Sequence, residues 1–145
     1  MQVELKISDE YREPKAIIYT DKMTDEIASL MKQLTDDQPK MIAAFDEDTV
    51  LMLSYSDIYH IYSSSGKIFV ETENKKYLLR LRLYELEERL DGSFVRISNS
   101  EIINLNKVKS FDLSFVGTIC VSLTNGIVTY VSRRYVTKIK QQLGI

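Results

Sequence analysis

Along residues 2–7 the apolar Val3, Leu5 and Ile7 alternate with Gln2, Glu4 and Lys6, the period-two pattern of a strand with one buried face. Residues 15–20 read as a second short strand. From Thr24 the period lengthens. Ile27, Leu30, Met31 and Leu34 fall at i, i+3, i+4 and i+7, which places them on one stripe of a helix. Thr24 can cap that helix, and Asp25 and Glu26 suit the positive end of its dipole. The polar run Asp36-Asp37-Gln38-Pro39 ends it and marks the expected boundary between a small β-β-α segment (1–39) and the remainder (40–145).

Beyond Pro39 the pattern shortens to strands separated by turn residues. Thr49 to Tyr55, Lys67 to Thr72 and Tyr77 to Arg82 are rich in branched and aromatic side chains, with Ser63-Ser64-Ser65-Gly66 and Glu73-Asn74-Lys75 as punctuation. The last two of these should form a hairpin. Leu83, Leu86 and Leu90 define a short helix stopped by Asp91-Gly92. Four more strands follow at 94–98, 108–113, 118–123 and 127–131, and Asn125-Gly126 is a hairpin signal between the last two. A final helix starts near Ser132, carries Val136, Ile139 and Leu143 inward, and meets Gly144 where a C-terminal cap belongs. The expected fold class is mainly β with short helices (α+β).

Composition narrows the function. At 145 residues, 44% hydrophobic and 28% charged, the chain should form a folded domain plus an appendage. No apolar run approaches the roughly 20 residues of a membrane span, and Met1-Gln2-Val3-Glu4-Leu5-Lys6 lacks a signal-peptide core, so a cytoplasmic protein without direct membrane insertion is expected. The one cysteine, Cys120, cannot form an internal disulfide, and the one histidine, His60, cannot supply a zinc cluster. His60 lies in an alternating, strand-like stretch (Asp57-Ile58-Tyr59-His60-Ile61-Tyr62) without a nucleophile turn, and no Gly-rich phosphate loop occurs. No metal, no cofactor and no enzymatic activity are expected.

Charge is the more informative quantity, because the formal −2 is a sum of opposites. Residues 1–39 hold nine acids against five bases, which is −4 and leaves +2 for 40–145. From Leu113 onward there is no acid, while Arg133, Arg134, Lys138 and Lys140 fall within eight positions. Lys138 and Lys140 suit the C-terminal end of a helix dipole; Arg133 and Arg134, near its start, do not, which points to another use for them.

Phe94-Val95-Arg96-Ile97-Ser98-Asn99-Ser100-Glu101-Ile102-Ile103-Asn104-Leu105-Asn106-Lys107-Val108 resembles the signature of the LytTR DNA-binding domain family. The stretch 57–61 resembles the family's strand before its first DNA-contacting loop, 83–90 its helix, and Val131-Ser132-Arg133-Arg134-Tyr135-Val136 its closing motif. The resemblance covers roughly 39–144. It implies an elongated, mostly β domain of bacterial transcription regulators that inserts loops into successive major grooves of double-stranded DNA, on direct repeats. Carried over by position, the first loop is Ser64, Ser65, Gly66 and Lys67, the second Ser98, Asn99 and Ser100, and the third Ser132, Arg133 and Arg134. The second loop departs from the commoner His-Arg-Ser arrangement. Arg134 is the expected main base reader, Asn99 the central contact and Lys67 a first-loop contact; Arg133 and Lys138 are expected on phosphate. Phe94 and Asn104 also match, and are expected to be structural.

Segment 1–39 is too short for a phosphoacceptor receiver domain or for a core of its own, so its apolar stripe should pack on the β domain or form a homodimer. The resemblance is to short stand-alone members restrained by a membrane-protein inhibitor, which implies such a partner here. The competing expectation is a LytTR-like protein-interaction module that has lost DNA binding and uses the acidic N-terminal segment.

Overall fold

The structure, a computed structural model, describes residues 1–35 and 40–145. The expected boundary at Asp36-Asp37-Gln38-Pro39 lies outside the described residues. The chain divides into two units, Met1–Gln38 and Pro39–Ile145.

In the first unit the expected helix is present as α1 (Asp25–Thr35), with the Thr24 hydroxyl accepting the Ile27 N–H at 3.2 Å. The two expected strands are not. Among the described residues of this unit no strand is formed, and the β-β-α reading reduces to α1 and a preceding irregular segment with one turn, Tyr11 N–H donating to Ser8 C=O. The reason is pairing. Alternation makes a segment competent for a sheet, but a strand exists only where another backbone completes its ladder. Val3, Leu5 and Ile7 remain 86%, 86% and 87% exposed.

The second unit holds ten strands and two helices. A seven-stranded antiparallel sheet has the order β2-β1-β5-β4-β3-β7-β6, from β1 (Met41–Asp46), β2 (Thr49–Ser54), β3 (His60–Ser64), β4 (Lys67–Glu71), β5 (Lys76–Leu79), β6 (Phe94–Ser98) and β7 (Glu101–Asn104). A three-stranded sheet, β10-β9-β8, is built from β8 (Val108–Asp112), β9 (Ile119–Leu123) and β10 (Val128–Val131). Helix α2 (Leu83–Arg89) lies between β5 and β6 in sequence, and α3 (Arg133–Leu143) closes the chain. No helix among the described residues is long and apolar enough to cross a membrane.

Two cores divide the buried side chains. Ile42, Ala44, Ile61, Val70, Leu79 and Ile102 meet Leu83, Leu86 and Leu90 around α2 in the first core. Val95, Ile97, Ile103, Ile119, Val121, Val131 and Ile139 fill the second, between the small sheet and α3. Strands β6 and β7 serve both cores. Ile102 points into one and Ile103 into the other, so β7 is apolar on both faces and lacks the alternation of a half-exposed strand. Asn104, 2% exposed, ties the end of β7 to the segment before β3: its Nδ2 donates to Ile58 C=O at 2.8 Å and its Oδ1 accepts the Asn106 N–H at 3.0 Å. Phe94 is buried in the first core, so both residues are structural, as expected.

The Asn125-Gly126 hairpin joins β9 to β10, with a wider turn than a two-residue loop. Gly126 has φ +92° and donates to Leu123 C=O, while Leu123 N–H reaches across to Ile127 C=O. Gly144 caps α3 in the left-handed region.

Candidate nucleic-acid interface

The first candidate loop is a two-residue hairpin turn. Ser64 pairs with Lys67 at the last rung of β3 and β4, and Ser65 (φ +52°) and Gly66 (φ +76°) form the turn between them. Two successive positive φ values match the right-handed twist of a hairpin, which is why a glycine belongs here. Ser64 is therefore a strand end rather than part of the turn. Ser64, Ser65, Gly66 and Lys67 are all exposed.

The second loop, Asn99-Ser100, joins β6 to β7 with a register shift between Arg96 and Ser98. Because β3 pairs with β7, the first two loops emerge at the same end of the sheet, joined by Ser63 N–H donating to Ser100 C=O at 2.8 Å. The Ser98 hydroxyl accepts the Ser100 N–H at 3.2 Å.

The third candidate group begins α3. Ser132 N–H donates to Ile97 C=O at 2.8 Å, which anchors the helix start to β6 beside the second loop. The Ser132 hydroxyl makes no capping bond, so it stays free for another acceptor or donor. The Tyr135 hydroxyl donates to Asn99 Oδ1 at 3.3 Å and joins the third group to the second. Arg134 and Lys138, four positions apart, share one exposed face of α3, opposite buried Ile139. Arg133 is set apart: its Nε would lie 3.0 Å from a Cβ at Gly117, so its side chain lies over the connection between β8 and β9.

The fold thus brings the three groups to one edge. Lys67, Arg133, Arg134 and Lys138 are exposed, and none takes part in the ion pairs of the described residues, which are Lys40–Asp91, Lys75–Asp46 and Arg96–Glu87. Unpaired cations on a shared edge make a positive field available to an anionic ligand.

Four residues bear on this edge that sequence reasoning did not single out. Arg96 grips the second loop: Nε donates to Ser98 C=O at 3.1 Å, Nη2 to Asn99 C=O at 2.7 Å, and Nη1 to Glu87 Oε2 of α2 at 3.0 Å. The available signal was a charged residue inside the otherwise inward-alternating Phe94-Val95-Arg96-Ile97-Ser98. Glu87, Tyr135 and Gly117 complete the set; Glu87 and Tyr135 fall inside the stretches that resemble the family's helix and closing motif, but nothing there marks their contacts with Arg96 and Asn99.

His60 lies in the interior at the other end of β3 from the Ser65-Gly66 turn. It is 7% exposed, stacks on Tyr62 at 4.9 Å, and its Nδ1 has no hydrogen-bond partner. Burial pushes its pKa below the ordinary 6.5, against the opposing pull of Glu101 and Glu71. The Tyr62 hydroxyl, which donates to Glu71 Oε1, is held above its ordinary value by burial and by Glu71.

A β-rich domain with three loops and a basic helix face along one edge offers a positively charged surface to an anionic ligand. The model of the LytTr DNA-binding domain matches residues 48–144, and the chain belongs to that family. The LytTr DNA-binding domain of a Bacillus cereus protein has the same fold, with a TM-score of 0.70 at 24% identity, covering 73% of this chain and 98% of that one. Proteins of Staphylococcus aureus strains MSSA476 and NCTC 8325, each named an uncharacterized HTH-type transcriptional regulator, are 32% identical over 100% of this chain and 99% of theirs. No two α-helices are consecutive among the described residues of 40–145, since five strands separate α2 from α3. The helix-turn-helix of those names has no counterpart there.

Proposed function

We propose that this protein is a cytoplasmic bacterial transcription regulator that reads double-stranded DNA through the Ser65-Gly66 turn, the Asn99-Ser100 loop and the start of α3, as a homodimer on direct repeats. The observation that carries the reading is the convergence of the three loops on one edge, joined by the bonds Ser63 to Ser100, Tyr135 to Asn99 and Ser132 to Ile97. Family membership supplies the class of ligand.

The chemistry of each group fits a distinct part of a duplex. Arg134 can donate two parallel hydrogen bonds to O6 and N7 of guanine, the commonest specific contact in a major groove. Asn99 can pair with N6 and N7 of adenine. With one lone pair of its Oδ1 taken by Tyr135, the second lone pair and both Nδ2 hydrogens remain for the base. Lys67, Arg133 and Lys138 have the charge to neutralise phosphates, with Ser65, Ser98, Ser100 and Ser132 as neutral donors and the Gly66 N–H as a backbone donor. An anion at the start of α3 also removes the mismatch between two arginines and the positive end of the helix dipole.

Fluorescence anisotropy with duplex DNA from upstream of the protein's own gene, beside a scrambled duplex and over a salt series, tests this directly. Preference for the native duplex is expected, with log affinity falling against log salt by about 0.9 per phosphate neutralised. A folded protein that binds neither duplex at low salt would overturn the reading in favour of a protein-interaction module.

A further inference from the structure

We propose that residues 2–8 form a two-stranded antiparallel pair with the same residues of a second copy of this chain, centred on Leu5. The inference gives the homodimer of the preceding section its contact surface and rests on that part of the reading alone.

Residues 2–8 carry the full pattern of a strand and none of its bonds. Val3, Leu5 and Ile7 lie on one side of the alternation and Gln2, Glu4, Lys6 and Ser8 on the other. The three apolar side chains are 86–87% exposed, and no ladder partner occurs among the described residues. No side chain described in residues 1–35 is buried. Such a segment gains both its backbone hydrogen bonds and its hydrophobic burial from an incoming strand.

The sequence identifies the incoming strand as its own copy. An antiparallel pair about a two-fold axis places residue i opposite residue j with a constant sum. Centring on Leu5 sets Leu5 against Leu5 and Val3 against Ile7 on the apolar face. On the polar face it sets Glu4 against Lys6 twice, once on each side of the axis. Neighbouring registers fail. Centring on residue 4 opposes Glu4 to Glu4, centring on residue 6 opposes Lys6 to Lys6, and an axis between residues sets a polar side chain against an apolar one, which the two-residue period of a strand forbids. The chain's own second alternating segment, 15–20, is a poorer match, because either of its faces (Lys15, Ile17, Tyr19 or Ala16, Ile18, Thr20) offers at most one charged partner to Glu4 and Lys6, and none to Lys6.

The test is sedimentation equilibrium of the full chain at about 0.15 M salt, comparing wild type with Glu4→Lys, Lys6→Glu and the double variant. Each single change replaces two opposite-charge pairs by two like-charge pairs, so the dimer should weaken roughly tenfold, and the double variant should return to within about twofold of wild type. Both side chains are exposed in the single chain, so circular dichroism should show an unchanged fold. Leu5→Asp should abolish the dimer. A dimer indifferent to all four variants overturns the strand pairing while leaving the homodimer in place. Weakening by the single variants without rescue by the double overturns the register. A wild-type chain that is monomeric throughout overturns the pairing and the homodimer together, and none of these three results depends on whether DNA is bound.

Discussion

At the scale of single residues, Arg134 and Lys138 separate reading from holding. They share an exposed face of α3, yet only Arg134 stands in its first turn, beside the second loop. Replacing Arg134 by Ala should cost about 1–3 kcal/mol of binding and relax preference at one base position, whereas Lys138→Ala should weaken all duplexes alike and flatten the salt slope by about one. Anisotropy titrations against a set of single-base operator variants distinguish the two, and a uniform loss for Arg134→Ala would remove it from base reading. His60 gives a prediction of a different kind. Its folded-state pKa lies below the unfolded 6.5, so below about pH 6.5 the unfolded chain takes up a proton that the folded chain refuses. Stability should therefore be full above that pH and fall as pH drops from there toward the folded value. His60→Phe, which keeps a ring to stack on Tyr62, should lose this component. Urea midpoints at about pH 7.5, 6.5 and 5.5 check it, and identical pH dependence in both proteins would exclude His60 as the source.

At the scale of elements, the second loop is shaped by its neighbours as much as by its own residues. Arg96 spans from the loop carbonyls of Ser98 and Asn99 to Glu87 on α2, so a helix in the first core holds a turn at the candidate interface. Arg96→Lys keeps the charge and loses the planar fork, and DNA affinity should drop by about 1–2 kcal/mol. Glu87→Gln is the sharper check. Removing a negative charge near DNA should strengthen binding if only the field mattered; loosening the grip on the loop should weaken it instead, by about 1 kcal/mol. An increase in affinity would show that the clamp has no role. Elements of this kind also mark what the sequence conveys and what it withholds. The helices and most strands were legible because each buries one face, as in the leucine stripe of α2 or the alternation of β9. Strand β1 (Met-Ile-Ala-Ala-Phe-Asp) was not, since its alanines carry little strand preference, and β7 was hidden because Ile102 and Ile103 enter different cores. The three loops were legible only through resemblance to a family. Their junctions, Tyr135 to Asn99 and Arg96 to Glu87, span 36 and 9 residues of chain and have no local pattern to announce them. The opposite error occurred at 2–7 and 15–20, where a genuine strand pattern lacks the partner that would make it a strand.

For the molecule as a whole, the decisive quantity is how charge is divided between the two units. A chain of formal charge −2 is poorly suited to approach DNA, yet the second unit alone carries +2 and holds the exposed Lys67, Arg133, Arg134 and Lys138. The first unit contributes −4 and no buried side chain among its described residues. Among the described residues every buried hydrophobic one lies from Ile42 to Ile139, and a solved LytTr domain has this fold over 98% of its own chain, so a fragment beginning at Lys40 should fold alone. Removing the acidic unit removes a long-range repulsion and leaves the proposed phosphate contacts in place. The fragment should therefore bind a scrambled duplex several-fold more tightly than the full chain at low salt, with the advantage shrinking as the Debye length falls to about 10 Å at 0.1 M. The log–log salt slope divided by the number of chains bound should be alike for the two proteins, because the slope counts neutralised phosphates and the proposed phosphate contacts belong to the second unit. On a native duplex with two repeats the fragment should lose affinity relative to the full chain, since it gives up the effective concentration that the proposed dimer would confer on its second contact. Anisotropy on both duplexes across the same salt series reads all of these trends. A lower slope per bound chain for the fragment would mean that bases of the first unit, such as Lys6 or Arg12, also neutralise phosphate, and the electrostatic division of labour between the units would have to be abandoned.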